Sequence, residues 1–249
     1  MSPSESAVVV VTGGADGFGA AIVDRFHQEG CKVIFIDLNE AKGSAKAATS
    51  PNLTFIHGDV TSRAIWEQAL SIAEKEYGRL DVVVNNAGIT QVPSPVHTLS
   101  MDLCDKILNV NLRPVFLSAQ VICPFMLKQG GGAFINLTST GCTRPRPGFA
   151  FYNAAKAGVN LASKTMALEY APTIRFNCIC PAVGDTAMLE RSIGNDDQSA
   201  EKRRKLEDGL PLKRLTKPTD IANAAWFLGS DQGSFLTGTT IEVDGGRGI

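Results

Sequence analysis

The sequence AVVVVTGGADGFG, residues 7–19, decides the fold of this chain. An apolar run of strand length leads directly into a glycine-rich turn, and apolar residues then recur at helical spacing. A strand, a glycine turn and a helix in this order are typical of phosphate-binding loops, in which N–H groups at a helix N-terminus hold a pyrophosphate.

The alternation of apolar runs and amphipathic segments continues along the chain. Most apolar runs lack alternating polar residues, which predicts strands covered on both faces, as in a parallel sheet. We expect an α/β fold, a single-domain Rossmann-like doubly wound parallel sheet of seven strands with helices on both faces. The predicted strands are 7–11, 32–37, 53–57, 80–85, 133–137, 174–180 and 240–243, and the predicted helices are 18–29, 39–48, 62–77, 101–129, 152–170 and 218–229.

No linker, repeat or low-complexity tract divides the 249 residues, so we predict one domain over 1–249. Residues 183–217 interrupt the alternation and carry a charge run at 201–205. A charge run is often only a solvated face of a helix. Because this excursion follows the sixth strand, we also consider that 183–217 forms a mobile substrate lid.

Composition limits the function classes. Hydrophobic residues make up 44% of the chain and charged residues 20%, as in an ordinary folded protein. The formal net charge of -1 gives no field that would attract nucleic acid, and no unbroken apolar run reaches the roughly 20 residues of a membrane span. Six cysteines lack a C-x-x-C pair and three histidines stand far apart, which predicts reduced thiols and no metal site. We expect a cytoplasmic protein without nucleic-acid or membrane partners.

The glycine spacing narrows the interpretation of the turn. Gly13, Gly17 and Gly19 form G-x-x-x-G-x-G, which differs from the G-x-G-x-x-G of many dinucleotide-binding proteins. Glycine permits a tight turn and a close approach of the backbone to a pyrophosphate. A plain strand-to-helix turn also uses glycine, so the cluster alone leaves both interpretations open.

Asp37 ends the second predicted strand and supports a nucleotide site. A carboxylate at this place can accept hydrogen bonds from the adenosine ribose hydroxyls, although it can also cap the following helix. Leu38 offers no cation for a 2′-phosphate, and Asp16 adds a negative charge to the glycine loop. The sequence therefore predicts NAD rather than NADP.

Only one of the three tyrosines has the neighbour that acid–base chemistry requires. A phenol has a pKa near 10 and needs a nearby cation to exchange protons at pH 7. One helical turn after Tyr152 stands Lys156, whereas Tyr77 and Tyr170 have no such lysine. A surface tyrosine beside a solvated lysine is the alternative. Ser139, at the end of the fifth predicted strand, adds a candidate hydroxyl donor.

Over essentially its whole length, the chain resembles the short-chain dehydrogenase/reductase family. The resemblance rests on an ordered set of motifs, any one of which could arise by chance. These motifs are TGxxxGxG at 12–19, GDV at 58–60, NNAG at 85–88, NVN at 109–111, Ser139, YxxxK at 152–156 and VDGG at 243–246.

The resemblance implies a catalytic set of four residues. Tyr152 would exchange a proton with the alcohol or carbonyl oxygen, and Ser139 would polarise that oxygen. Lys156 would lower the pKa of Tyr152 and hold the nicotinamide ribose. Asn111 would anchor a water leading from Lys156 to solvent.

The resemblance also implies a cofactor-binding set and a homotetramer. Asp59 and Val60 would meet the adenine, and Thr186 would fix the nicotinamide carboxamide. The complete cofactor-binding set is Gly13, Asp16, Gly17, Phe18, Gly19, Asp37, Leu38, Asp59, Val60, Asn86, Ala87, Gly88, Tyr152, Lys156, Pro181, Val183 and Thr186.

Some positions depart from the family pattern. The usual Pro-Gly after the sixth strand is Pro181-Ala182, which puts the nicotinamide pose in doubt. Pro114 follows Asn111 inside the predicted helix 101–129, where it favours a local break. Arg144 and Arg146 lie between Ser139 and Tyr152 and either face water or another subunit, or form an anion-recognising rim of the substrate pocket.

We therefore predict an NAD-dependent oxidoreductase that interconverts a secondary alcohol and a ketone, with Tyr152 as acid and base. A 3-oxoacyl carrier-protein reductase is the alternative in another substrate class, and it would favour NADP and a basic residue in place of Asp16. A non-catalytic NAD-binding regulatory protein is a further alternative, disfavoured by the intact Ser139, Tyr152, Lys156 and Asn111.

Overall fold

The computed structural model describes residues 7–186, 189–190 and 199–249. Seven parallel strands form one sheet in the order β3-β2-β1-β4-β5-β6-β7, which confirms the predicted fold class. The strands are β1 (Val8–Thr12), β2 (Lys32–Asp37), β3 (Leu53–His57), β4 (Val82–Asn85), β5 (Gly132–Leu137), β6 (Ile174–Pro181) and β7 (Thr240–Val243).

The sheet has a topological switch point between β1 and β4, where successive strands begin to be added on the other side of β1. The chain first builds outward from β1 through β2 to β3, and then returns to the other side of β1 for β4 to β7. Loops that leave neighbouring strands on opposite sides of such a switch point open a crevice at the carboxyl ends of the strands. The glycine turn after β1 and the loop after β4 therefore face each other across this crevice.

Helices connect the strands. Asp16 caps the first helix by accepting a hydrogen bond from the N–H of Gly17 at 2.8 Å, and Gly130 ends the fifth with a φ of 90°. The helices in the described residues are α1 (Gly17–Gln28), α2 (Glu40–Ala47), α3 (Arg63–Ile72), α4 (Met101–Asn111), α5 (Arg113–Gln129), α6 (Ala150–Tyr170), α7 (Ser199–Asp208) and α8 (Pro218–Gly229).

The predicted helix 101–129 is interrupted at Leu112, whose φ of -112° lies outside the helical range. Pro114 has no N–H to donate, and the N–H of Val115 donates to the Leu112 carbonyl at 3.2 Å. Within Met101–Gln129, an 18-residue window has the mean hydropathy, 1.4, of a membrane-crossing helix, yet half of that window is buried inside the protein. It is built as a core element of the sheet's helical layer.

Two hydrophobic cores cover the two faces of the sheet. The valines of β1 alternate between them, with Val8 and Val10 on one face and Val9 and Val11 on the other. The first core packs against α3, α5 and α6, where Trp66 is fully buried. The second packs against α1 and α8. Burial on both faces explains why the strands are apolar throughout.

The charge run at 201–205 lies on α7, which buries none of its residues. Arg203 forms an ion pair with Asp185 at 2.7 Å, which ties α7 to the segment after β6. The predicted lid spans 183–217, and its residues 187–188 and 191–198 lie outside the described residues. Closure of this segment therefore stays a prediction.

Candidate active site

A cleft of about 960 Å³ lies at the carboxyl ends of the strands, at the switch point between β1 and β4. It runs from Asp37 at the end of β2 to Tyr152 at the start of α6. The predicted residues that line it are Gly13, Asp16, Gly17, Phe18, Asp37, Leu38, Asp59, Val60, Asn86, Ala87, Gly88, Asn111, Ser139, Tyr152, Lys156, Pro181, Val183 and Thr186.

Gly19 is the predicted cofactor residue that does not line the cleft. A Cβ atom at this position would lie 1.9 Å from the carbonyl oxygen of Gly13. Gly19 therefore lets the first turn of α1 pack against the glycine turn, and its contact with the cofactor stays a prediction. Gly17 is different, because a Cβ there would meet only Thr186, at 3.4 Å.

The glycine turn is tied to the loop after β4. The hydroxyl of Thr12 accepts hydrogen bonds from the N–H groups of Asn86 and Ala87, both at 2.9 Å. The Asn86 amide donates in turn to the Thr12 carbonyl at 2.8 Å. Gly13 has a φ of +65°, which L-residues rarely adopt. Both rims of the cleft are thus held at a fixed separation.

Asp37 is held by the backbone around it. Its carboxylate accepts hydrogen bonds from the N–H of Ala15 at 3.0 Å and from that of Asn39 at 2.9 Å. Leu38 offers no cation, but Lys42 stands near this end of the cleft. The Lys42 ammonium lies 2.6 Å from the Asp16 carboxylate, and in this ion pair the two charges neutralise each other.

Ser139, Tyr152 and Lys156 meet at the other end of the cleft. Ser139 follows β5, and its hydroxyl accepts a hydrogen bond from the N–H of Gly141 at 3.1 Å and lies close enough to the Tyr152 phenol to act on the pKa of Tyr152. Tyr152 lies in the first turn of α6, and Lys156 follows one turn later. The ammonium of Lys156 donates to the carbonyl of Leu137, at the end of β5, at 2.9 Å. Strand β5 and helix α6 thus bring the three predicted groups together.

The local electrostatics differ from the expectation that Lys156 lowers the pKa of Tyr152. Burial raises the pKa of Tyr152 above its ordinary value, while the hydrogen bond from Ser139 and the charge of Arg146 act against this rise. Burial also lowers the pKa of Lys156 to about 8. Tyr152 is therefore a neutral phenol at pH 7, ready to donate a proton.

Asn111 lies beside this group at the end of α4. Its side chain accepts from the N–H of Ile89 at 3.2 Å and donates to the Ile89 carbonyl at 3.0 Å. A Cβ atom on Gly88 would lie 2.6 Å from the Asn111 side-chain oxygen and 3.3 Å from the Lys156 nitrogen. The helix break after Asn111 and the missing side chain at Gly88 therefore let the loop after β4 approach Lys156.

A buried polar network beneath the site was not predicted. Asn85 donates to Asn136 at 2.8 Å and to Ser118 at 2.9 Å, and Asn136 donates to Ser163 at 2.8 Å. The network links β4, β5, α5 and α6, and Ser163 is on the same helix as Tyr152. Polar residues inside otherwise apolar strands were its signal in the sequence.

Several lining residues also escaped prediction. Phe149 lies beside Tyr152, and Lys106 comes from α4, whereas Arg146 was expected as a possible rim residue of the pocket. Most of the others are apolar or small and carry no chemical signal in the sequence. The lining residues outside the predicted cofactor and catalytic sets are Ile36, Asn39, Glu40, Gly58, Ile89, Thr90, Lys106, Val110, Leu137, Thr138, Thr140, Arg146, Phe149, Ala182, Gly184 and Leu189.

Ala182 fits its position after β6 without strain. Its N–H donates to the carbonyl of Val243 at 3.3 Å, and within the described residues only Lys213 is a non-glycine residue with positive φ. The glycine usual in the family is not required for the backbone here. Phe18 lies against Gly184, where a Cβ would meet the Phe18 ring at 2.2 Å.

The chemistry of the cleft suits a dinucleotide. Along its length, the cleft presents the glycine turn at the N-terminus of α1, then the Asp37 carboxylate fixed by two N–H donors, and at the other end the Tyr152 phenol with the Lys156 ammonium nearby. Within 7–186, 189–190 and 199–249, no group of three or more His, Cys, Asp or Glu residues is placed to hold a metal ion.

Comparisons with known proteins agree with this geometry. Residues 13–247 match the family described as enoyl-(acyl carrier protein) reductase. A 4-formylbenzenesulfonate dehydrogenase from Comamonas testosteroni is 40% identical over 247 residues, covering 97% of this chain and 98% of that protein. A 2,5-dichloro-2,5-cyclohexadiene-1,4-diol dehydrogenase from Sphingobium indicum is 36% identical and covers 97% of this chain and 96% of that protein.

Solved structures give the same result. A 3-ketoacyl-(acyl-carrier-protein) reductase from Brucella melitensis, complexed with NADH, has a TM-score of 0.89 at 34% identity and 98% coverage of both chains. An aldohexose dehydrogenase from Thermoplasma acidophilum has a TM-score of 0.88 at 34% identity, with 97% of this chain and 94% of that chain covered. Full-length matches in both sequence and structure leave one assignment: this chain belongs to the short-chain dehydrogenase/reductase family of oxidoreductases.

Proposed function

We propose that this protein is an NAD-dependent alcohol dehydrogenase or carbonyl reductase that interconverts a secondary alcohol and its ketone. The observation that carries the proposal is the meeting of Ser139, Tyr152 and Lys156 at one end of a cleft whose other end presents Asp37. The dehydrogenase names of its relatives support the reaction class.

Tyr152 and Ser139 carry the proton chemistry. A bound nicotinamide supplies the acceptor or donor of the hydride. In oxidation, the phenolate form of Tyr152 would take the hydroxyl proton of the alcohol while the carbon–hydrogen electron pair leaves the carbon as hydride; in reduction, the neutral phenol would give its proton to the carbonyl oxygen and become phenolate. Ser139 donates a hydrogen bond to the same oxygen and stabilises its developing charge.

Lys156 and the glycine turn hold the cofactor in this proposal. The Lys156 ammonium is fixed by the Leu137 carbonyl at 2.9 Å and lines the end of the cleft to which we assign the nicotinamide. At the other end, the Asp37 carboxylate accepts hydrogen bonds from ribose hydroxyls and disfavours a 2′-phosphate, so NAD is preferred to NADP.

Tyr152→Phe tests the mechanism. The change removes the phenol oxygen and keeps the ring, so we expect kcat to fall by about 10²-fold to 10⁴-fold with little change in NAD affinity. NADH absorbance with a panel of secondary alcohols and ketones, including aryl carbonyl compounds, measures kcat. Tyr170→Phe, at the far end of the same helix, is the matched control and should stay active. A Tyr152→Phe enzyme with most of its activity intact contradicts the proposal.

A 3-oxoacyl carrier-protein reductase is the second candidate. It is favoured by the NADH-complexed structural relative from Brucella melitensis, which carries that name. The Asp16 carboxylate, which stands where such a reductase is expected to carry a basic residue, argues against it. Turnover of a 3-oxoacyl thioester at a higher kcat/KM than any free ketone would favour this candidate.

We also propose a homotetramer in the cytoplasm. Support comes from apolar side chains that the protomer leaves exposed: Phe116 on α5, Leu161 and Leu168 on α6, and Phe235 just before the edge strand β7. These side chains are available for contacts between subunits. All six cysteines are unpaired, as is usual in a reducing compartment. Light scattering on the purified protein tests the assembly, and a monomeric mass would contradict it.

A further inference from the structure

The two arginines of the segment Arg144-Pro145-Arg146-Pro147 have different positions. Arg144 turns away from the cleft and donates to the carbonyl oxygens of Arg247 and Ile249, the latter at 2.7 Å. It therefore anchors the end of the chain. Arg146 instead lines the cleft together with Ser139 and Tyr152. Only one of the two guanidinium groups is placed to meet a substrate.

Arg146 has no anionic partner in the part of the chain that the structure describes. Its one specific contact there is with the ring of Phe149, whose centroid lies 5.4 Å from the guanidinium carbon. Arg146 is exposed at the surface of the cleft, where partial burial and the like charge of Arg247 both lower its pKa. A guanidinium that lines a cleft without an anionic partner is available to form charged hydrogen bonds with an incoming anion.

The loop that carries Arg146 is held in place. Gly148 takes a φ of +85°, and its carbonyl accepts hydrogen bonds from the Gln91 side chain at 2.8 Å and from the N–H of Ser94 at 3.2 Å. Prolines on both sides of Arg146 restrict the backbone further. The backbone that carries the cation is therefore pre-organised, which lowers part of the entropic cost of binding.

An aromatic contact connects Arg146 to the reaction centre. The rings of Phe149 and Tyr152 pack edge to face, with centroids 6.3 Å apart. Arg146, Phe149 and Tyr152 thus form a continuous row along one wall of the cleft, from a cation through an apolar ring to a phenol. A ligand that follows this row presents an anionic group, then an apolar body, and then the oxygen that reacts.

We propose that Arg146 is a substrate-recognition residue and that the preferred substrates carry an oxyanion, either carboxylate or sulfonate, on an apolar or aromatic body that also bears the alcohol or ketone. This inference rests on the proposed function, because it takes Ser139 and Tyr152 as the place of reaction. Arg146 binds the anion, and Phe149 contacts the body between the two polar ends.

Matched ketones test the inference. The anionic probes are 4-acetylbenzoate and 4-acetylbenzenesulfonate, and their neutral counterparts are methyl 4-acetylbenzoate and 4-acetylbenzenesulfonamide. In Arg146→Leu we expect kcat/KM for the anionic ketones to fall about 10-fold to 150-fold, mainly through KM, with the neutral ketones nearly unchanged. Arg146→Lys should recover part of the loss. Arg144→Leu, in the same segment but outside the cleft, should keep the preference for anions.

Calorimetric binding separates this inference from the proposed function. The titrations use 4-acetylbenzoate and its methyl ester with saturating NAD, which cannot reduce a ketone. If Arg146→Leu binds the anion more weakly and the ester equally well, the recognition site is supported, whether or not any ketone is turned over. A failure to turn over any ketone would refute only the proposed function. Equal losses for anion and ester, an unchanged anion affinity, or no binding of the anion to the wild type overturns the inference.

Discussion

Removing the carboxylate of Asp37 and then that of Asp16 should shift the cofactor preference from NAD toward NADP in two steps. Asp37 is fixed by two backbone donors, at 3.0 and 2.9 Å, and cannot turn away from a 2′-phosphate without losing them. Two like charges about 4 Å apart repel by roughly 1 kcal/mol in water and roughly 4 kcal/mol at an effective dielectric constant of 20. These energies correspond to a preference for NAD of about five-fold to about a thousand-fold.

The Asp16–Lys42 pair adds a second step. The two groups lie 2.6 Å apart with side chains 52% and 54% exposed, so separating them changes stability by only about 0.2 to 1 kcal/mol. Asp37→Asn removes the repelling charge while keeping an acceptor oxygen, and should narrow the preference. Asp16→Asn frees the Lys42 ammonium for a 2′-phosphate, and the double variant should prefer NADP.

The assay is the ratio of kcat/KM for the two cofactors, together with their Kd values from fluorescence titration, which require no substrate. Asp24→Asn is the matched control, since it breaks the neighbouring ion pair with Lys46 on residues that do not line the cleft. A wild type that prefers NADP refutes the reasoning. So does a double variant whose cofactor ratio equals that of the wild type.

Four other predictions have defined outcomes. Burial raises the pKa of Tyr152, so the phenol is neutral at pH 7 and its phenolate fraction grows as the pH rises toward that pKa. The rate of alcohol oxidation measured from pH 6 to 10 should therefore rise, and a flat profile would be inconsistent with Tyr152 as the base. Lys156 loses its proton as the pH rises through about 8, so ketone reduction should fall above that pH, which initial rates of NADH consumption will show. Gly19→Ala places a methyl group 1.9 Å from the Gly13 carbonyl and should weaken NAD binding in a fluorescence titration, while an unchanged Kd would show that the turn tolerates it. Phe134→Ala removes a fully buried ring whose centroid lies 4.6 Å from that of the stacked Phe176 ring. The free energy of unfolding measured by urea denaturation should fall by about 3 to 5 kcal/mol, and a loss below about 1 kcal/mol would contradict the burial of this ring in the core.

The sequence by itself determined the sheet, its seven strands and the three reacting groups. Strands covered on both faces must be apolar throughout, and this leaves a continuous apolar run that can be recognised in the sequence without coordinates. The partnership of Tyr152 and Lys156 is likewise local, because one helical turn fixes their separation. Helix 101–129 was predicted to break near Pro114 because the cause, a missing N–H, is a property of one residue.

Only the tertiary structure decided which charges and glycines act in the site. The sequence treats Arg144 and Arg146 alike, yet one binds the end of the chain and the other lines the cleft. It also places Asp16 in the glycine turn after the first strand and Lys42 in the helix after the second, and the two meet only when β1 and β2 pair side by side. Contacts between residues far apart in the chain depend on how helices pack on the sheet, and no spacing rule records that packing.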